Sequence, residues 1–298
     1  MQFCVLLLPR SNPGFVILGQ RLGKEKLFDY INKFGFGKKT GVDLNGEGTG
    51  ILFNLDKVGP VELATTAFGQ GVSVTPIQQI TAVSAAINGG ILYKPYIVKS
   101  LNEPETNTII KENNPQVVRK VISEETSQMV RSTLENVVSL GTGRPAYIDG
   151  YRVGGKTGTA QKVENGRYLV GNYITSFIGF APADDPEVVV YVAVDNAKGV
   201  TQYGGTVAAP IARQILMDSL TALNIEKRED GIEKRYNYLD RKYAVIPNVV
   251  GKTVSEAMKE LKNFKVEFSG SGDKVAYQSP IANTRIYEGE VVRLLLTN

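Results

Sequence analysis

A change in hydrophobic period near Arg152 limits the folds open to this chain more than any other feature of its sequence. Before this residue, apolar side chains recur at helical spacing, as over residues 22–34 and 76–86. After it come short apolar segments that predict β-strands, and then a helical pattern over 206–223. The predicted strands are residues 152–162, 173–180 and 188–194. Helices, an antiparallel sheet and a covering helix together predict an α+β fold.

The last predicted strand, residues 188–194, is apolar at every position. This composition is typical of a strand that is covered on both faces. We therefore expect this strand at the centre of the sheet.

A charged stretch divides the 298-residue chain into two parts. Between residues 226 and 242, 11 of 17 residues are charged, which is typical of a solvated linker or helix. The sequence therefore predicts an α+β domain over residues 11–225, a charged linker over 226–242 and a small domain over 243–298. The small domain contains a capping box, Thr253 to Glu256, followed by short predicted strands.

The residue types that are rare or missing exclude several kinds of chemistry. The chain has no His and one Cys, so a Ser-His-Asp triad, a His-ligated metal and an intrachain disulfide are excluded. Any proton transfer would use Lys, Asp, Glu, Tyr or an activated hydroxyl. The net charge of +4 is too small to indicate nucleic-acid binding, and we expect neither a metal nor a cofactor.

The segment 150–157 matches the G-x-x-x-x-G-K-[ST] pattern of a phosphate loop. Asp195 follows an apolar segment, as a magnesium-binding Asp of a nucleotide site does. A phosphate loop opens a helix, whereas residues 158–166 favour a strand and a turn. Nucleotide binding is therefore a remote alternative.

The same segment is also typical of an edge strand that binds a peptide. Lys156 would be a fixed cation, and the Thr157 hydroxyl would bind a substrate carboxylate. Gly158 would let another chain approach closely. The backbone of Thr159 would pair with the substrate as an added strand and supply an oxyanion-hole N–H.

Lys-Thr-Gly is an element of serine β-lactamases and penicillin-binding proteins. From residue 13 to 223 the chain resembles the class B penicillin-binding proteins, which are peptidoglycan D,D-transpeptidases. Residues 243–298 resemble a PASTA domain, as in sporulation enzymes that end in one such domain. The segments that carry the resemblance are 12–16, 21–23, 34–37, 67–71, 75–78, 154–162, 176–182, 204–205, 208–210, 246–251, 278–280 and 288–289.

The resemblance implies the fold of the penicillin-binding and serine β-lactamase families, and an acyl-serine mechanism. A Ser in an S-x-x-K motif attacks D-Ala-D-Ala, and an amine from a neighbouring stem peptide then forms the cross-link. The implied partners are stem peptides and β-lactams, with muropeptides or division or sporulation proteins at the PASTA domain, and no nucleic acid.

The implied location is the extracytoplasmic face of a bacterial membrane. From the sequence itself we expect no anchor or signal peptide. Its apolar opening, residues 3–8, is far shorter than the roughly 20 residues that span a bilayer.

The sequence departs from the family pattern at two motifs. Its S-x-x-K match, residues 271–274, falls in the PASTA-like region, where we expect a surface turn, so the nucleophile is predicted to be absent. In the S-x-N motif only Asn12 carries over, because Arg10 stands where the Ser belongs. A second S-x-N match, residues 100–102, is expected to be a coincidence in a polar loop. Enzymatic activity of this chain is therefore uncertain.

Two functions follow from these departures. The chain is either part of a transpeptidase, without its nucleophile and inactive alone, or a non-catalytic protein that binds peptidoglycan or a partner.

Overall fold

The structure is a computed structural model that describes residues 11–164, 166–228, 230–231 and 243–297. The chain divides into two compact units, Met1–Arg235 and Tyr236–Asn298. None of the described helices combines the length and the apolar character that crossing a bilayer requires.

The first unit begins with helices and continues into a sheet, as the change in period predicts. Its helices are α1 Asn12–Leu22, α2 Lys24–Lys33, α3 Pro60–Ala67, α4 Pro76–Ile87, α5 Glu124–Leu140 and α6 Gly204–Ala222. Short 3₁₀ helices lie at Leu55–Lys57 and Arg144–Ala146. The hydroxyls of Thr75 and Ser123 cap α4 and α5, accepting hydrogen bonds from the third helical N–H at 3.2 and 3.1 Å.

Within the described residues, the main sheet is antiparallel and has three strands in the order β5-β6-β7. The strands are β5 Gly154–Glu164, β6 Arg167–Ala181 and β7 Val188–Asp195. The prediction that residues 188–194 form the central strand is wrong, because β6 lies between the other two. Both α4 and α6 pack against β7, and this cover explains its apolar sequence.

Two aromatic residues of β6 mark the two faces of this sheet. Phe177 is fully buried in the cluster that contains Leu216 and Leu220 of α6. Phe180 is buried in a separate cluster with Ile87 of α4, against which side chains of α5 also pack. Helices therefore cover both faces of the sheet, and β5 is held as part of this layered core.

Short strands, largely exposed apart from Leu92 of β1, lie between α4 and α5. β1 Ile91–Lys94 pairs with β4 Gln116–Lys120, and β2 Ser100–Asn102 pairs with β3 Ile109–Glu112. The second S-x-N match was predicted to lie in a loop, which is wrong, because these residues form β2.

Among its described residues, the second unit has its own core, a three-stranded sheet and a two-stranded sheet. Its elements are β8 Tyr243–Val245, α7 Val254–Glu260, β9 Lys265–Gly270, β10 Lys274–Ser279, β11 Arg285–Tyr287 and β12 Val291–Thr297. The predicted capping box is present, since Thr253 and Glu256 bond each other's backbone N–H. The S-x-x-K match lies at the turn into β10, where Ser271 is exposed.

The predicted linker is described only at its beginning. Arg228 donates its backbone N–H to Gly150 O at 2.8 Å, so this part of the linker is bonded to the first unit. Residues 232–242 lie outside the described residues, and the predicted linker boundaries stay a prediction.

Candidate active site

The candidate site is the segment Lys156–Thr159 on β5. Within the described sheet β5 is an outer strand, paired with β6 along one edge. Side chains alternate along a strand, so Lys156 and Gly158 share one face and Thr157 and Thr159 the other. The motif thus places a cation and two hydroxyls on a strand that pairs along one edge only in the described sheet.

The Lys156 side chain lies along its own strand. Its Nζ donates a hydrogen bond to the Thr157 carbonyl oxygen at 3.0 Å, and Nζ lies 3.4 Å from Thr157 Oγ1. The positive charge is therefore next to the hydroxyl that was predicted to bind a carboxylate.

Thr142 lies beside the candidate site, and the sequence did not point to it. Its Oγ1 lies 3.3 Å from Thr157 Oγ1, and Thr157 is only 7% exposed. Thr142 follows Gly141, the C-terminal cap of α5, so the end of that helix fixes its position. Glycines on both sides of Thr142 predict a loop, but they do not indicate which strand the loop contacts.

Close packing of α6 against β5 fixes the other hydroxyl. The backbone N–H of Gly204 donates to Thr159 Oγ1 at 3.2 Å. A Cβ at Gly204 would lie 2.3 Å from Ser176 O and 2.4 Å from Gly158 O, so only glycine fits at this contact. Because a Cβ at Gly158 would also lie 2.3 Å from Ser176 Oγ, glycines let the helix and both strands approach one another.

Asn12 lies at the first position of α1. The Ser11 hydroxyl caps this helix by accepting from Gly14 N at 3.3 Å. The helix packs against α2 and α3. A role for Asn12 beside Lys156 stays a prediction, and Arg10 lies outside the described residues.

The nucleotide-binding alternative is wrong. Lys156 lies inside β5, so no helix begins after it to bind a phosphate. Asp195 forms an ion pair with Lys162 at 2.8 Å. In the described part of the chain, no group of three or more Asp, Glu or Cys side chains is placed to hold a metal ion.

Comparison with known proteins identifies the family. The family model of the penicillin binding protein transpeptidase domain matches residues 9–217. The chain belongs to this family. A PASTA domain model matches residues 244–298. The resemblance to class B penicillin-binding proteins with a PASTA domain is therefore confirmed.

Several relatives of this transpeptidase-family chain are longer proteins. It is 62% identical over 286 residues to stage V sporulation protein D of Bacillus subtilis, covering 96% of this chain and 44% of that protein. It is 35% identical over 215 residues to the probable peptidoglycan D,D-transpeptidase PenA of Neisseria meningitidis serogroup A, covering 72% and 35%. The chain thus spans less than half the length of these relatives.

Solved structures agree with the predicted fold. Penicillin binding protein 3 of Mycobacterium tuberculosis, in its complex with ampicillin, has a TM-score of 0.70 and 31% identity to this transpeptidase-family chain. The alignment covers 78% of this chain and 54% of that one. The predicted transpeptidase fold followed by a PASTA domain is confirmed.

Proposed function

We propose that this chain binds the D-Ala-D-Ala end of peptidoglycan stem peptides, and β-lactams, along the outer edge of β5 in a D,D-transpeptidase reaction. One observation carries the proposal. The Thr157 hydroxyl lies between the Lys156 ammonium at 3.4 Å and the Thr142 hydroxyl at 3.3 Å. This arrangement suits a ligand that carries a carboxylate.

Each residue of the segment has a stated task in the proposal. The Thr157 hydroxyl donates a hydrogen bond to the terminal carboxylate, and Lys156 balances its charge. Gly158 leaves room for the peptide, which pairs with β5 as an added strand. The Thr159 N–H stabilises the negative charge that develops on the carbonyl oxygen.

The covalent step needs a serine. The serine oxygen bonds to the carbonyl carbon of the penultimate D-Ala, and the terminal D-Ala leaves as the free amino acid after taking up the proton. The amine of a second stem peptide then bonds to that carbon, the bond from the carbon to the serine oxygen breaks, and the proton that the amine loses returns to that oxygen. Ser271 belongs to an exposed turn of the second unit, so we propose that the nucleophile comes from a segment outside the given sequence.

On this proposal the chain alone binds without acylation, and it acts on the extracytoplasmic side of a bacterial membrane. Fluorescent penicillin should leave no covalent adduct after denaturation. A D-Ala-D-Ala peptide should bind reversibly, and Lys156→Gln should weaken this binding at least about fivefold through loss of a charged hydrogen bond. Lys162→Gln is the matched control, because Lys162 lies on the same strand and pairs with Asp195. A covalent adduct would contradict binding without acylation. Equal binding by the two variants would contradict the role of Lys156.

The PASTA match supports a second candidate function, non-catalytic binding of peptidoglycan or of a division or sporulation protein by the second unit. Sedimentation with purified peptidoglycan distinguishes the two. Binding through β5 should be competed by the D-Ala-D-Ala peptide and weakened by Lys156→Gln. Binding through the second unit should be unaffected by either.

A further inference from the structure

A cluster of charged side chains surrounds Arg152, two residues before β5 begins. Its guanidinium donates from Nε and Nη2 to the two carboxylate oxygens of Glu135, at 2.9 and 2.7 Å. Its Nη1 lies 3.3 Å from Asp184 and 3.9 Å from Asp230. The candidate site uses none of these residues.

Part of this cluster comes from the segment that follows α6 and leads toward the second unit. We call Ile225–Arg228 together with Asp230 the exit strap. Arg228 Nη2 lies 2.7 Å from Asp184 Oδ1, and its Nε lies 3.4 Å from Asp230. The Tyr151 hydroxyl donates to Ile225 O at 3.0 Å. Backbone and side-chain bonds thus both hold the strap against the residues just before β5.

The charges of the cluster depend on one another. Glu135 is 1% exposed, so its negative charge needs the guanidinium of Arg152. The hydrogen bonds that Arg152 donates to Glu135 raise the pKa of Arg152 above its usual value. Burial favours the neutral form of Asp184, but the hydrogen bond from Arg228 and the charges of both arginines outweigh it and lower the pKa of Asp184. Without Arg228, three carboxylates would share the guanidinium of Arg152.

The Glu135–Arg152 pair also joins the two elements that meet at the candidate site. Glu135 lies on α5, and the loop after α5 carries Thr142. Arg152 leads into β5, and its carbonyl accepts a hydrogen bond from Ala183 N at 2.8 Å. A shift of Arg152 relative to α5 would therefore change the 3.3 Å contact between Thr142 and Thr157.

We propose that the exit strap positions β5, and that Arg152 is the positioning residue through which it acts. Arg228 and Asp230 complete the charges around Arg152, and Arg152 holds the start of the strand that carries Lys156–Thr159. The segment before the second unit is then a support of the substrate strand as well as a connection. The consequence for substrate binding rests on the proposed function, whereas the support of β5 does not.

Hydrogen–deuterium exchange of the full chain without ligand tests this support. Arg228 is well exposed, with 43% of its side chain in contact with solvent, so Arg228→Gln should fold. We expect amides of residues 153–160 to exchange about two- to fivefold faster in Arg228→Gln than in the wild type. Arg293→Gln is the control, because it removes an exposed ion pair with Glu267 in the second unit. Faster exchange limited to residues 225–231, or no change, overturns the proposal.

Two further measurements test whether the exit strap positions β5 or has only a local effect. They also keep this question apart from the proposed function. Arg228→Lys keeps the charge and should restore most of the protection of residues 153–160. One molar salt should speed their exchange in the wild type and have less effect in Arg228→Gln, and an equal salt effect in both contradicts the proposal. If the wild type does not bind the D-Ala-D-Ala peptide but the exchange result holds, the proposed function fails and the support of β5 stands.

Discussion

The Thr157 hydroxyl lies near two polar side chains, and neither belongs to a residue on the same face of β5. Lys156 is adjacent in sequence, whereas Thr142 reaches it from the loop after α5. On the proposed function, the hydroxyl of Thr142 orients that of Thr157 and does not itself touch the ligand. Its effect should therefore appear in ligand affinity more than in stability.

We expect Thr142→Val to weaken binding of the D-Ala-D-Ala peptide about two- to tenfold, the size of one hydrogen bond. The shape of the side chain is kept, so the melting temperature should change little. Titration of the labelled peptide measures the effect. Thr221→Val is the control, because Thr221 is exposed on α6 and its hydroxyl donates to Met217 O of the same helix. Equal affinity of the two variants would show that Thr142 does not orient Thr157.

The motif residues were identified from the sequence because local chemistry marks them. Gly, Thr and Lys at these spacings on a β-pattern are recognisable within a few residues. Thr142 was missed because its contact with Thr157 joins a loop to a strand 15 residues away. Glu135 was missed for the same reason, since it pairs with Arg152 across 17 residues.

At the scale of elements, side-chain hydrogen bonds hold the loop between α2 and α3 in place. Gln78 is 1% exposed, and its amide donates to Lys38 O and Thr49 O at 2.7 and 2.9 Å. The carboxylate of Glu47 accepts hydrogen bonds from the Thr40 backbone and hydroxyl and from Gly41 N. These bonds fix the loop against the start of α4.

The Glu47 carboxylate should make stability depend on pH. Burial favours its neutral form, but the hydrogen bonds from Thr40 and Gly41 outweigh it and lower the pKa of Glu47. The folded state then holds fewer protons than the unfolded one near the ordinary Glu pKa of about 4.3. The stabilisation is therefore complete above that pKa and is lost as the pH falls through the lower folded value.

We expect the free energy of unfolding to be higher in the wild type than in Glu47→Gln at pH 7. The difference should shrink as the pH falls below about 4.3. Urea titrations between pH 7 and 3 measure it. Glu112→Gln, at an exposed position of β3, is the control. A difference that grows toward low pH would contradict the assignment.

The observed helix boundaries and buried faces show where local sequence patterns were insufficient to predict the structure. The pattern over residues 22–34 predicted one helix, but Leu22 is the last residue of α1. Gly23, with φ +83°, separates α1 from α2. On α6, Leu216 and Leu220 are buried, whereas Ile211 and Ile215 of the same helix are 44% and 42% exposed. The periodicity identified the helix, while the sheet beneath it selected which apolar residues are covered.

For the whole molecule, the two units have separate cores. Leu216 is fully buried in the first and Leu294 in the second. The family models also divide the chain this way, at residues 9–217 and 244–298. Each unit should therefore unfold in its own transition.

We expect Leu294→Ala to destabilise the second unit by about 2–5 kcal/mol, through lost burial and a cavity. The transition of the first unit should stay in place. Calorimetry of the full chain measures both transitions. Leu295→Ala, a 44% exposed neighbour, should have a small effect. A shared shift of both transitions would mean that the cores are not independent.

The amino-acid sequence was sufficient for the α+β class, the family, the separation into two units and the strand that carries Lys156–Thr159. The family rests on a series of short motifs along the chain, and the other three depend on patterns within about 20 residues, because hydrophobic period and turn chemistry are local properties. Other features could be seen only in the folded chain. They are the order β5-β6-β7, the Thr142–Thr157 contact, the packing of Gly204 on β5 and the Glu135–Arg152 pair. Each of these joins residues from different elements, and only the packing of those elements brings their side chains within bonding distance.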